Sequence, residues 1–254
     1  MQKADVVGTN DSRGLQLERR MVEAMRRRIS AAILASVAAG CDAGDQADYR
    51  DRAMREMNDI TAAASSSLIV VPATTPAQRA LLLENLIEKK PTYMILSSSA
   101  EDLGFLQDVH RLIDDGVSND NSLGSEELDR IMKRTSDLKS IGATSIGFLS
   151  DAGRRQSVLF KLPSGKLGML SVWDYKADDG KILALEEART FEVAGVRASL
   201  SLSKNSNDDR RLWVVGWTTD SEDYGLYLED AKTEAGDTHW NPDTIRELAE
   251  EMTR

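Results

Sequence analysis

The stretch Leu212-Trp213-Val214-Val215-Gly216-Trp217-Thr218 decides the fold of this chain. Successive side chains of a β-strand point to opposite faces, so the residues of this stretch divide into two sets. Trp213, Val215 and Trp217 share one face, and the residues between them share the other. Because both sets are mostly apolar, the stretch predicts a strand that is buried on both sides within a sheet.

Several other short apolar or alternating runs flank this strand along the chain. They are Ser157–Leu162, Leu167–Trp173, Thr190–Leu202 and Gly225–Leu228. Turn-forming residues separate the runs, for example in Pro163-Ser164-Gly165 and Asp178-Asp179-Gly180. Close spacing of strands and turns is typical of an antiparallel meander. We therefore predict an antiparallel sheet over residues 141–254.

A helix is predicted to close this sheet at the C-terminal end. Asn241 is a good N-cap, Pro242 suits the first helical position, and Asp243 favours the positive end of the helix. The following apolar residues recur at helical spacing: Ile245, Leu248, Ala249 and Met252. Their shared stripe predicts a helix that packs on one face of the sheet.

The preceding part of the chain, residues 49–140, has a helix-rich pattern. Helices are predicted at Tyr49–Ala64, Thr75–Glu88, Ser99–Asp114 and Ser125–Lys139, and strands at Leu68–Val71 and Tyr93–Leu96. This order predicts a small layered α/β part. Residues 41–48 are short, acidic and small, which is typical of a tether. The whole chain is thus expected to be an α+β protein.

Composition excludes several classes of protein. The 254 residues carry a net charge of −10 and include one cysteine and two histidines. A single cysteine is incompatible with a disulfide framework or a cysteine-based zinc site. An acidic chain lacks the basic surface that nucleic-acid phosphates require, so we expect no nucleic-acid partner. No motif indicates a cofactor.

The segment from Met25 to Cys41 has the three parts of a secretory signal. Met25-Arg26-Arg27-Arg28 is cationic, the run from Ile29 is apolar and uncharged, and its end consists of small residues. The apolar run is shorter than the about 20 residues of a membrane-spanning helix. Ala38-Ala39-Gly40-Cys41 resembles the lipobox of bacterial lipoproteins, although lipoboxes usually carry Leu where Ala38 stands.

The resemblance implies a processed and lipid-modified N-terminus. Cleavage would fall between Gly40 and Cys41, and acylation of Cys41 would hold the protein at a membrane of the cell envelope, facing the periplasm. Asp42 resembles the residue that retains many such lipoproteins in the inner membrane. Residues 1–40 would then be an extension plus signal peptide, with translation starting at Met21 or Met25. The alternative is a plain helix over Gln16–Ala39 in a cytoplasmic protein whose Cys41 is buried in the core.

Candidate catalytic and metal-binding motifs are weak. Ser136-x-x-Lys139 and Ser201-x-x-Lys204 fit a pattern in which the lysine deprotonates the serine, but no companion motif accompanies either. Asp120 and Glu127 lie in a loop that resembles a calcium-binding EF-hand, but that register lacks the first aspartate and the turn glycine, so we expect no metal site.

The aromatic residues leave two interpretations open. Trp213 and Trp217 are expected in the core, and the alternative is an exposed binding face made of Trp173, Trp213, Trp217 and Tyr227. The function predicted from the sequence is a non-enzymatic binding or protective module of the envelope, such as an immunity-like protein or an assembly factor, with a protein partner. The alternatives are an intracellular interaction protein and an envelope hydrolase whose residues come from distant segments.

Overall fold

A computed structural model describes most of the chain beyond residue 42. The described residues are 43–76, 78–79, 86–99, 103–104, 106–108, 142–150, 155–205, 207, 209–231 and 240–252. Gly40, Cys41, Asp42, Asp120, Glu127, Ser136 and Lys139 lie outside these ranges, as does the helix predicted at 125–139. No helix of the described part is long and apolar enough to cross a membrane.

The molecule is built on a mixed sheet of nine strands. Among the described residues, the helices with defined bounds are α1 (Ala43–Ala63) and α2 (Pro242–Glu251), and a 3₁₀ turn lies at Glu186–Ala188. The strands are β1 (Leu68–Val71), β2 (Leu86–Lys89), β3 (Met94–Ser97), β4 (Thr144–Ser150), β5 (Arg155–Lys161), β6 (Leu167–Trp173), β7 (Ile182–Leu185), β8 (Phe191–Val193), β9 (Val196–Lys204), β10 (Arg210–Thr218) and β11 (Asp223–Ala231). The sheet order is β2-β3-β9-β10-β11-β6-β5-β4, and β8 also pairs with β9.

The antiparallel meander and the α+β class are confirmed. Neighbouring strands of the large sheet run antiparallel, except that β3 lies parallel to β9. Because β2 and β3 precede residue 141, the division placed there does not separate two sheets. The N-terminal strands instead extend the edge of the meander. Two further strands, β1 and β7, form a separate parallel pair.

The face covered by α2, here called the helix face, holds the largest part of the core. Trp213 and Trp217 are each 1% exposed and pack there with Ile245 and Leu248 of α2. The predicted core position of these two tryptophans is therefore confirmed. The predicted cap is also confirmed, since the Thr244 N–H donates to Asn241 Oδ1 at 2.9 Å.

The opposite face, here called the groove face, is covered at two separate places. Near β3, α1 and the β1–β7 pair bury Met57, Leu185 and Met94. Near β5 and β6, the helical residues Leu103 and Leu106 are part of a second cluster, which also contains Leu159, Met169, Leu212 and Tyr227. The two clusters leave a depression between them, which is the groove described below.

Three predicted boundaries were wrong. The run Thr190–Leu202 is a hairpin of β8 and β9, because Ala194 and Gly195 both adopt positive φ in a two-residue turn between Val193 and Val196. The helix predicted at Thr75–Glu88 begins as expected, since Thr75 Oγ1 accepts from the Gln78 N–H at 3.1 Å. It does not reach Glu88, because Leu86–Lys89 is strand β2.

Leu86–Lys89 instead pairs with Met94–Ser97. In the turn between these two strands, the Lys90 N–H donates to the carbonyl of Tyr93 at 2.8 Å. The segment read as a tether, residues 41–48, is helical from Ala43 onward. This segment is the first part of α1, which continues without interruption through the helix predicted at Tyr49–Ala64.

Candidate functional site

A row of small residues crosses the groove face of the large sheet. The register aligns Ser199 of β9 with Gly216 of β10, Gly225 of β11, Ser171 of β6 and Ser157 of β5. We call these five residues the small-residue row. Neighbouring strands lie about 4.8 Å apart, so the row spans about 19 Å from Ser199 to Ser157. Four of the five residues, Ser199, Gly216, Gly225 and Ser171, form the floor of a groove, because none of their side chains is larger than a hydroxymethyl group.

The groove has a volume of about 1060 Å³, including its open mouth. On one side of the row, Val214 and Tyr227 lie in the adjacent register position, and on the other side lie Thr218, Asp223 and Trp173. Residues of β3, β7 and the following 3₁₀ turn line its upper wall: Met94, Leu96, Ile182, Ala184, Leu185 and Ala188. The lining is therefore mainly apolar, with hydroxyl groups at its base.

The two glycines of the row differ in the space above them. A Cβ on Gly225 would lie 3.0 Å from Cε2 of Tyr227, so the tyrosine ring leans over this glycine. A Cβ on Gly216 would lie 3.1 Å from Ser199 Oγ and would meet little else within 4 Å. A larger side chain at Gly216 would therefore extend into the groove.

The polar groups on the Trp173 side are paired with one another. Thr218 Oγ1 donates to Asp223 Oδ1 at 2.8 Å, and Trp173 Nε1 donates to Asp178 Oδ2 at 2.7 Å. The Trp173 ring also packs on Gly180, where a Cβ would come within 2.6 Å of it. These contacts hold the ring as a fixed wall.

Strand β9 supplies hydroxyl groups on the side of the groove opposite to Trp173. Its Ser-Leu alternation places Ser199, Ser201 and Ser203 on the groove face and their leucine neighbours in the core. Ser201 lines the groove and is only 6% exposed. Its position in the groove lining makes Ser201 a residue that the sequence interpretation missed as a binding group.

One cationic side chain lines the groove at the Ser199 end. Arg189 Nη2 donates to the carbonyl of Arg197 at 2.7 Å, which holds the guanidinium beside the start of β9. Partial burial lowers the pKa of Arg189, and the positive charge of Arg197 lowers it further, whereas Glu186 opposes the shift. The surroundings thus destabilise this positive charge, and a bound anion would relieve that effect.

The four aromatic residues proposed as one binding face do not share a face. Trp213 and Trp217 lie in the core on the helix face, whereas Trp173 and Tyr227 line the groove. The interpretation failed because residues of β10 and β11 were grouped by composition rather than by the register that separates them. An exposed aromatic face made of all four residues is therefore wrong.

The Ser201-x-x-Lys204 pattern does not form a catalytic pair. Residues three apart in a strand point to opposite faces, so Lys204 lies away from the groove that Ser201 lines. Burial, followed by the charge of Arg211, lowers the pKa of Lys204. Its amine is nevertheless on the wrong side of the sheet to accept a proton from Ser201. Across the described ranges, no cluster of three or more His, Cys, Asp or Glu residues could hold a metal ion.

No protein-family model, curated protein or solved structure matches this chain. The groove is accordingly interpreted from its own geometry and chemistry.

Proposed function

We propose that this protein is a non-enzymatic binding module of the bacterial cell envelope, anchored to a membrane through acylated Cys41. The observation that carries the proposal is the order of charge and hydropathy in residues 25–41, which ends at the chain's only cysteine. A cationic segment, an apolar run too short to span a bilayer and a small-residue end together are typical of a cleaved export signal. An acylated cysteine carrying more than one chain gives stable membrane attachment.

The groove supports a binding role for the folded part. It combines an apolar lining with serine hydroxyls and one guanidinium, the composition of many small-molecule sites. Nucleophilic catalysis would require a serine within hydrogen-bond reach of a base. Ser171 is instead hydrogen-bonded to Ser157, and Ser199 to the Gly216 carbonyl. Binding therefore fits the groove better than hydrolysis does.

Cell fractionation tests the anchoring. We expect the wild-type protein in the membrane fraction and Cys41→Ala in the soluble or unprocessed fraction. Ala38→Leu is the matched control, because it brings the four residues closer to the usual lipobox and should preserve or increase membrane attachment. A wild-type protein that stays in the cytosol at full length, with no effect of Cys41→Ala, would contradict the proposal and favour an intracellular interaction protein.

A further inference from the structure

We propose that the groove binds a single-chain amphipathic carboxylate, with the carboxylate at Arg189 and the apolar chain along the small-residue row. This inference deepens the proposed binding role, but it does not depend on membrane attachment. The groove joins an apolar lining, the buried serines Ser171 and Ser201, and a cationic side chain at one end.

The shape of the groove selects a narrow, elongated ligand. From Ser199 to Ser171 the row crosses four strands, a distance of about 14 Å. Tyr227 and Trp173 flank the far part of this path, one on each side of Gly225 and Ser171. An unbranched hydrocarbon chain fits over Ser199 and Gly216 and then meets the aromatic rings, of which Tyr227 leans over Gly225. A wide or branched ligand requires the space that these rings fill.

The charge distribution selects an anionic head group. Arg189 lies at the Ser199 end, where its Nη2 donates to the Arg197 carbonyl. Its planar guanidinium carries further N–H donors in a geometry that suits a carboxylate. At the Trp173 end, Asp223 and Asp178 accept hydrogen bonds from Thr218 and Trp173, so an anion would be repelled there. The head group is thus directed to Arg189 and the apolar chain to the region between the rings.

The hydroxyl of Ser201 adds a second polar contact near the head group. It lies on the same strand and face as Ser199, about 7 Å further along β9. Ser203 provides a matched position, since it shares that face and is also buried, but it does not line the groove. Loss of the hydroxyl should therefore matter at Ser201 and not at Ser203.

Calorimetric titration of the purified full-length chain with dodecanoate below its micelle concentration and with dodecanol below its solubility limit tests the proposal. Dodecanoate should bind with one site per chain and more tightly than dodecanol. Arg189→Gln removes a charge-assisted hydrogen bond, so it should weaken dodecanoate binding by about tenfold or more and leave dodecanol binding nearly unchanged. Arg197→Gln is the matched control: it removes the same charge from a neighbouring side chain that does not line the groove and should have a much smaller effect.

Filling the row tests where the chain binds. Gly216→Leu should abolish binding of both probes, and Ser199→Leu provides a second filling variant should the first fail to fold. Ser201→Ala should weaken dodecanoate binding more than Ser203→Ala does. Absence of dodecanoate binding, equal loss in both arginine variants, or binding only to phosphatidylglycerol vesicles would overturn the inference. Because Cys41→Ala should bind dodecanoate like the wild type, this result is independent of the fractionation result.

Discussion

The stability of the folded protein depends on the protonation state of the buried residue Tyr175. The residue is 1% exposed, and its hydroxyl donates to the carbonyl of Thr219 at 2.8 Å. Burial raises the pKa of Tyr175, and the charges of Asp220 and Asp223 raise it further. The folded protein therefore holds this proton at a pH where the unfolded chain, with a tyrosine pKa of about 10, has begun to release it.

We predict that this linkage contributes to alkaline unfolding. The stabilisation from neutral Tyr175 is fully present below pH about 10 and is lost as the pH rises through the higher pKa of the folded state. Tyr175→Phe should cost about 1 kcal/mol at pH 8 through the lost hydrogen bond. The variant should also lose less stability than the wild type between pH 8 and 11. Urea unfolding across this range measures both effects, and equal pH dependence in the two proteins would contradict the prediction.

Most individual residues of the groove could not be predicted from the sequence. Alternating Ser and Leu in β9 predicts one apolar face and one polar face, and the ordinary expectation for the polar face is exposure to water. Instead, Ser201 and Ser203 are buried beneath other elements. Only the position of β3 beside β9, with Met94 opposite Ser201, explains this burial. That parallel pairing joins residues more than a hundred positions apart.

At the scale of elements, α2 is the clearest case in which local sequence and tertiary packing agree. Asn241 caps its first turn, Pro242 follows, and the buried residues Ile245, Leu248 and Ala249 lie on one stripe. The strands β6 and β10 also follow from the alternation of their residues, and their inner positions are buried as predicted. Elements with a strong period and recognisable flanking residues could therefore be predicted.

We predict that the cap of α2 contributes measurably to stability. Asn241→Ala removes the acceptor of the Thr244 N–H and should lower the free energy of unfolding by about 1 kcal/mol. Asn241→Asp is the matched variant, because its carboxylate retains an acceptor, and should cost much less. Chemical denaturation of the two variants provides the comparison. If both were destabilised equally, the hydrogen bond would not be the source of the effect.

Elements without such signals could not be predicted from one sequence. The turn between β8 and β9 has Ala194 at a position with φ of +48°, where Asn or Gly is the usual residue. The sequence thus lacks the common hairpin signal, and Thr190–Leu202 was interpreted as one strand. Leu86–Lys89 has apolar spacing that also fits the end of a helix. Its pairing with β3 is a tertiary effect that overrides this local preference.

At the scale of the whole molecule, the sheet brings together groups that no linear motif connects. The small-residue row takes one residue from each of five strands, and the register alone aligns them. The helix face is filled by the tryptophans and α2, whereas the groove face is covered in two parts with a channel between them. The helix face therefore forms the main core, whereas the groove face has a channel of the kind that can hold a ligand.

The proposed signal for export and anchoring lies outside the described part of the chain. The proposed signal ends at Cys41, and α1 begins at Ala43. An anchored cysteine would therefore be followed almost directly by a helix, which would hold the folded part close to the membrane surface. Such closeness is consistent with a groove for single-chain amphipathic ligands, since these molecules partition into bilayers.

The intact mass of the protein extracted from membranes of its native host tests the central claim most directly. Our account predicts a chain that begins at Cys41 and carries added mass equal to a diacylglyceryl group with or without a further acyl chain. A mass equal to a chain that retains residues before Cys41, with an unmodified thiol, would contradict it.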